Sequence, residues 1–471
     1  MLRLSIVVSL LVAVAFGLGM SHMRASAGNH GGAVAEVDQG PTGPGLAHHP
    51  LFLRVRGRDA TGLPLFVNST PTGYTPSQVR GYLGLSGDGA GQTVAIVDAY
   101  QHPSITSDVT TFSSQFGLPL ICGSSGADPA NCFDFTVAMP QGAPKTNAGW
   151  ALEIALDVEW AHAVAPKAHI LLVETASNSF ANLLGGIDYA ASQGAAVISN
   201  SWGGSESASE ASNDSHCQLA AAVCTFSTGD SGNPGGYPAY NPAVIAVGGT
   251  TLNLAGSTVS SESAWSGSGG GISQYETRPA YQAASNASAF RGIPDVSYDA
   301  DPNTGFPVYD SVRYQLQSGW FQVGGTSAGA PQWAAIVAVA DQLRAANGQG
   351  VLSSSSLAAS NAVYALNDTA ALYDVTSGSN GSCGSVCQAG TGYDFVTGLG
   401  SPRTGVDLAL AGVSGGSSTP TPTSTSAATA TPTATSAPPT APATATPTSS
   451  GPTATATATT CPPGKQKRGA C

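Results

Sequence analysis

The residues of this chain that could carry out a reaction lie far apart in the sequence. Ser327 stands in "GGTSAGAPQWAAIVAVAD", between small residues and just ahead of a strong helical pattern, a setting that suits a nucleophile. A serine nucleophile needs a base to take its proton. None of the eight histidines sits in a context such as His-Gly-x-His that would mark one. Glu153 and Asp157, in "AGWALEIALDVEWAHAVA", are four residues apart and so share one face of a helix. Like charges repel at that spacing, and the neighbouring residues are Trp150, Ala151, Leu152, Ile154, Ala155 and Leu156. Two carboxylates on so apolar a helix are expected to share a cleft, hold one proton between them and have one pKa raised. Asp230, in "STGDSGNPGG", ends a strand pattern among glycines and taken alone reads as a turn aspartate.

These side chains must be positioned by a framework, and the sequence outlines one. The β-rich apolar runs "TVAIVDAY", "AHILLVETA", "AAVISNSWG", "VCTFSTGD" and "AVIAVGGTTL" alternate with helical patterns such as "SFANLLGGIDYAASQG". Such alternation predicts an α/β fold with a mostly parallel central sheet and helices on both faces, with active residues gathered at the carboxyl ends of strands. One helix is expected over about 149–164. Another starts near Pro331, which suits a first turn, and stops at Asn347-Gly348. His162, nine residues after Glu153, falls on a different face; both it and His169 read as structural. Asp98, at the end of "IVDAY", is left as a structural or substrate-side residue.

The ends of the chain differ from its middle. An early Arg, an apolar run from Leu4 to about Met20 and then Ala25-Ser26-Ala27 read as an export signal over 1–27, an uncleaved anchor being the alternative. A short segment, 28–72, follows, with no room for a long folded propeptide. Residues 73–412, about 340 in number, can bury most of their unfolded surface in one enzyme-sized domain. The Ser/Thr/Pro/Ala-rich stretch 413–460 has nothing to bury and reads as a disordered spacer. A basic, Cys-flanked tip, 461–471, could touch an anionic envelope. The eight cysteines fall in close pairs, which together with export suggests short-loop disulfides. Charged residues are only 9% of the chain, and the net charge is -12. That composition is compatible with an acidic milieu, and the absence of a basic stripe argues against nucleic-acid binding.

Taken together, Glu153-x-x-x-Asp157 with "LDVE", "SWGG", "GDSG", "AVGGT", "PDVSYDADPNTG", "GGTSAGAP" and "YDV" followed by "AGTGYD" resemble the sedolisin family of serine-carboxyl peptidases, with a subtilisin-like three-layer fold. The resemblance implies Ser327 as nucleophile, Glu153 as general base, Asp157 as the group that orients that base, and Asp230 as an oxyanion-hole acid. It further implies protein or peptide substrates cleaved by a secreted, monomeric endopeptidase, most active in acid. Substrate contacts would come from Gly269 and Gly270, in "SGSGGG", a flexible loop being the alternative, and from Trp202, for which core packing or a place in the carboxyl network is the alternative. One structural Ca²⁺ would be held by the carboxylates of Asp374 and Asp394 and the carbonyls of Val375, Gly390 and Gly392, a hard oxygen set that suits this ion. The competing reading is a secreted, stalk-tethered binding or adhesion module on an inactivated peptidase fold, against which the intact Ser327, Glu153, Asp157 and Asp230 weigh.

Overall fold

The computed structural model describes residues 25–27 and 33–412. The rest of the expected signal, the spacer at 413–460 and the tip at 461–471 lie outside the described residues. At the centre is a sheet in the order Thr258–Ala264, Val244–Ala255, Val223–Ser227, Val197–Asn200, Thr93–Ala99, His169–Thr175 and Phe135–Ala138. Strand Val296–Asp299 also pairs, in parallel, with Val244–Ala255. Every pairing is parallel except that of Thr258–Ala264. The central strands are covered on both faces, which is why they read as continuous apolar runs rather than alternating ones.

The pleat divides the side chains of these strands between two cores. Val94, Ile96, Ile170, Leu172 and Val197 face one core, with Leu152 and Leu156 of helix Ala148–Val164 and Trp333 and Ile336 of helix Gly329–Ala346. Ala95, Val97, Val173 and Ile198 face the other, with Leu183 and Ile187 of helix Phe180–Ser192. Helix Ala148–Val164 begins at Asn147, whose side chain accepts hydrogen bonds from the Gly149 and Trp150 amides. Every residue from Gly149 to Val164 is buried, so the helix has no solvent face on which to spread its charges.

The short N-terminal segment, from residue 33 on, is built into the domain. Strand Ala33–Glu36 pairs with Phe52–Arg54, and the latter extends an antiparallel sheet through Gln317–Gly324 to Phe306–Tyr314. Val37, Leu51, Leu53 and Phe66 are buried in the first core and Ala47 in the second. Disulfides join Cys122 to Cys132, Cys217 to Cys224 and Cys383 to Cys387. The Cys461 and Cys471 pair falls outside the described residues.

Candidate active site

Ser327 lies on a single turn of 3-10 helix, Thr326–Ala328, directly before helix Gly329–Ala346. The preceding Gly325 has φ +113°, and a Cβ there would come within 2.3 Å of Asp230 Oδ2, so only glycine lets the turn pass the aspartate. Glu153 and Asp157 rise from helix Ala148–Val164, which packs against this turn. Glu153, Asp157 and Ser327 are all fully buried. The hydroxyls of Ser327 and Ser201 both face the Glu153 carboxylate and draw its pKa down, although neither reaches full hydrogen-bond geometry. Burial is the larger influence and holds Glu153 well above the usual carboxylate range.

Asp157 is raised for the same reason, and then by the charges of Asp98 and Glu153. Asp98, on strand Thr93–Ala99, is fully buried and is raised in turn by burial, Glu153 and Glu174. Asp98, left by the sequence as a structural or substrate-side residue, therefore stands with the carboxyl cluster. Three carboxyls in so dry a space cannot all ionise, so they exchange protons as one unit. The strand-end position of Asp98 was the available signal; which partner its side chain meets depends on the packing of helix Ala148–Val164 over the sheet.

Asp230 comes from the loop that follows strand Val223–Ser227. Its Oδ1 accepts from the Thr326 amide at 2.7 Å and the Thr326 hydroxyl at 2.9 Å, while Oδ2 is buried without a partner. The residue edge reaches the cleft, but its carboxyl is dry. Burial pushes the pKa up to about 8 against the two Thr326 bonds. Below that pH the group is a neutral acid with an O–H to donate, the property an oxyanion donor requires.

The three expected substrate contacts have interior roles. Trp202 is fully buried, donates its indole N–H to the Val97 carbonyl at 2.9 Å and stands edge-on to Phe226. An indole so enclosed supports the sheet and cannot touch a peptide. Gly269 and Gly270 are also buried. The Gly269 amide donates to the Gly229 carbonyl at 2.7 Å, and the Gly270 carbonyl accepts from Gly235 N at 3.0 Å and Asn233 Nδ2 at 2.9 Å. A Cβ on Gly269 would lie 2.0 Å from the Thr228 carbonyl oxygen and one on Gly270 2.1 Å from that of Phe395, so these glycines permit backbone packing rather than offer a free strand edge. The open space of the cleft, about 390 Å³, is lined instead by residues such as Pro50, Gly204, Glu206, Asp230, Gly235 and Gln274.

Among the histidines, His162 stacks on Phe133 with ring centroids 3.8 Å apart and places Nε2 3.0 Å from the Pro119 carbonyl oxygen, which leaves it occupied in the core. His169 Nε2 is 2.9 Å from the Thr136 hydroxyl. The histidine that reaches the cluster is His49, from the N-terminal segment, with Nδ1 3.3 Å from Glu153 Oε2 and no exposure to solvent. Nothing in "GLAHHPLF" distinguishes it, because its place follows from strand pairing more than 250 residues away, Leu53 with Val323.

The loop expected to hold a cation is drawn together by its own carboxylates. Asp394 accepts from the Gly390, Val396 and Thr397 amides, and Asp374 Oδ2 from the Gly392 amide at 2.8 Å. Neither aspartate has a Lys or Arg partner among the described residues, and the Gly390 and Gly392 carbonyls accept no hydrogen bond there. A hard cation fits this donor set.

A model of the subtilase family matches residues 145–386. Kumamolisin from Bacillus sp. (strain MN-32) is 32% identical over 373 residues, covering 71% of this chain and 63% of its own length. Sedolisin from Pseudomonas sp. (strain 101) is 36% identical over 178 residues, 35% of this chain and 28% of that protein. The chain thus spans less than two thirds of the length of these curated relatives. Among solved structures, Pseudomonas sedolisin, a serine-carboxyl proteinase complexed with two molecules of pseudo-iodotyrostatin, matches with a TM-score of 0.59 and 26% identity, covering 71% of this chain and 96% of that one.

Proposed function

We propose a catalytic role for each of four residues in this chain, which belongs to the sedolisin family of serine-carboxyl peptidases within the subtilases. In our reading it is a secreted endopeptidase that hydrolyses peptide bonds in proteins in acid. Ser327 Oγ attacks the carbonyl carbon, Glu153 takes the hydroxyl proton, and Asp157, with Asp98 behind it, holds that base in place. The developing oxyanion is met by the protonated Asp230 carboxyl and the Ser327 amide. Glu153 then passes the proton to the departing amine nitrogen. Water, deprotonated by Glu153, cleaves the acyl ester and restores Ser327.

The observation that carries this reading is the meeting of a buried serine with a carboxyl cluster on one side and an acid kept neutral up to about pH 8 on the other. The buried Glu153 of the closed cleft is too basic for strongly acid work. Admission of water and substrate relieves part of that burial, and the first proton to leave a coupled cluster leaves at lower pH than the last. Asp374 and Asp394, with the carbonyls of Val375, Gly390 and Gly392, would hold one Ca²⁺ that organises the loop. Degradation of casein by wild-type protein but not by Ser327→Ala, over pH 3 to 8, tests the reading. Equal degradation by both would exclude Ser327 as the nucleophile, and none by either would favour the binding-module alternative.

A further inference from the structure

Thr326, between Gly325 and Ser327, is fully buried, and its side chain is a link in a directed chain of hydrogen bonds. Its Oγ1 accepts from the Gly229 amide at 3.1 Å. The same oxygen lies 2.9 Å from Asp230 Oδ1, which also accepts from the Thr326 amide at 2.7 Å. Asp230 Oδ2 has no partner among the described residues. It lies against the turn that carries Ser327, where a Cβ on Gly325 would come within 2.3 Å of it. One residue thus grips one oxygen of the carboxyl through both its backbone and its side chain and leaves the other oxygen bare.

We propose that Thr326 is a positioning residue that fixes the proton of Asp230 on Oδ2. The inference rests on the role assigned above to Asp230 as oxyanion donor. The count of donors decides the placement. The Gly229 and Thr326 amide hydrogens are fixed by the backbone, one directed at Thr326 Oγ1 and the other at Asp230 Oδ1. The threonine hydroxyl hydrogen has one acceptor among the described residues, Asp230 Oδ1. An acid proton on Oδ1 would have to point back at Thr326 Oγ1, which already accepts from Gly229, and would strand the threonine hydrogen in a dry site. On Oδ2 the acid proton leaves every other donor paired and presents the free O–H that an oxyanion needs. A proton shared between the two oxygens would instead offer a lone pair part of the time, and a lone pair repels the oxyanion.

The hydroxyl that orients this proton also weakens its hold. Burial raises Asp230 to about 8, the amide and hydroxyl of Thr326 pull it down, and the charges of Glu153 on helix Ala148–Val164 and Glu36 on strand Ala33–Glu36 push it up. His48, His49 and Glu206 are the other titratable groups that line the cleft with it. Donation to Oδ1 favours the ionised carboxylate, so loss of the hydroxyl lets Asp230 keep its proton to higher pH. Removing Thr326 Oγ1 therefore makes a slower enzyme whose alkaline limb lies further up. Damage to the turn alone would slow the enzyme and leave that limb in place.

The test is a pair of variants of the full chain, Thr326→Val and Thr326→Ser, assayed on a short peptide. Thr326→Val should lose roughly tenfold in kcat with KM changed by no more than about twofold, and the alkaline limb of its kcat/KM should move up by about one pH unit, as expected for one hydrogen bond. Thr326→Ser keeps the hydroxyl and should restore both. A Val variant with wild-type kcat and limb, or a Ser variant as impaired as the Val one, overturns the proposal. If Thr326→Val shows no cooperative urea transition, infrared spectroscopy decides. At pH 5.5 the C=O stretch of the protonated Asp230 is isolated as the difference between the Ser327→Ala protein and the same protein carrying Asp230→Asn. A proton on Oδ2 leaves Oδ1 as a carbonyl that accepts both Thr326 donors, with its band at the low-frequency end of the range for buried acids. A band at the high-frequency end, from a bare Oδ2 carbonyl, overturns the proposal, and so does the absence of a band, which would mean an ionised carboxyl. Asp230→Asn at the wild-type rate would remove that residue from catalysis, and a low-frequency band would then leave the placement of its proton standing.

Discussion

The stability of the fold should fall as the pH rises from 5.5 to 7, contrary to the behaviour of a domain whose carboxylates are salt-bridged. Glu174, Asp341 and Asp230 each have one carboxyl oxygen hydrogen-bonded and the other buried without a partner. Burial raises them to about 7, about 7 and about 8. A carboxyl whose folded value lies above its unfolded one contributes stability below the unfolded value and loses it as pH rises through the folded value. The opposing groups are His49 and His162, taken by burial down to about 4 and about 3, and His48 and His169, which burial also lowers; they cost stability as pH falls below 6.5.

Near pH 5.5 the protons retained by Glu174, Asp341 and Asp230, with those of Glu210 at about 8 and Glu276 at about 7, stand against at most four forgone by the histidines, so the folded state holds about one extra proton. Asp98, Glu153, Asp157, Glu159 and Asp299, all raised by burial, add to it. One proton corresponds to about 1.4 kcal/mol per pH unit. Above pH 6.5 the histidines drop out and the carboxyls act alone. Urea unfolding of the Ser327→Ala protein, followed by tryptophan fluorescence at half-unit steps with the m-value checked for constancy, measures the slope. Stability that stays flat or rises between pH 5.5 and 7 would show that these carboxyls are ionised in the fold, and the argument from burial would fail.

Three other outcomes follow from the geometry. Asp230→Asn keeps a neutral donor of similar shape without the acid; it should lose roughly 3 kcal/mol of transition-state stabilisation, a typical figure for an oxyanion donor, and show a flattened alkaline limb in its rate profile. Gly325→Ala, with its Cβ directed at Asp230 and a φ that side chains resist, should abolish catalysis and lower the urea midpoint, and an active variant would mean the turn is looser than described. Chelation of calcium at neutral pH should lower the melting temperature of the wild type but not of Asp394→Ala, and an unchanged wild-type melting temperature would remove the ion from the account.

How much of this could be read from the sequence depended on how local the signal was. The helix expected over about 149–164 was legible from its helical pattern, and the one beginning near Pro331 from local punctuation, Pro331 in its first turn and Asn347-Gly348 after its end. The parallel strands were legible because burial on both faces makes "TVAIVDA" and "HILLVET" apolar throughout. Glu153 and Asp157 stood out as charges on a helix with no polar face. The places of Trp202, Gly269 and Gly270 stayed open because an aromatic residue or a glycine run near a cleft looks the same whether it faces the ligand or the core. Only the indole bond to Val97 and the carbonyls packed against the glycines separate the two cases. His49 was out of reach altogether, since it gains its neighbour through pairings distant in the chain.

The central claim is that carboxyl groups do in this site what a histidine does in other serine peptidases. The most direct measurement is the pH dependence of kcat/KM on a short peptide, from pH 3 to 8, for the wild type and for Glu153→Gln, with the protein first acidified. The account predicts a bell with its optimum in acid for the wild type and no measurable turnover at any pH for Glu153→Gln. A wild-type rate that rises through a single ionisation near 6.5 and holds level above pH 7.5 would contradict it. The base would then be an imidazole, with His49, the histidine nearest Glu153, the first residue to replace.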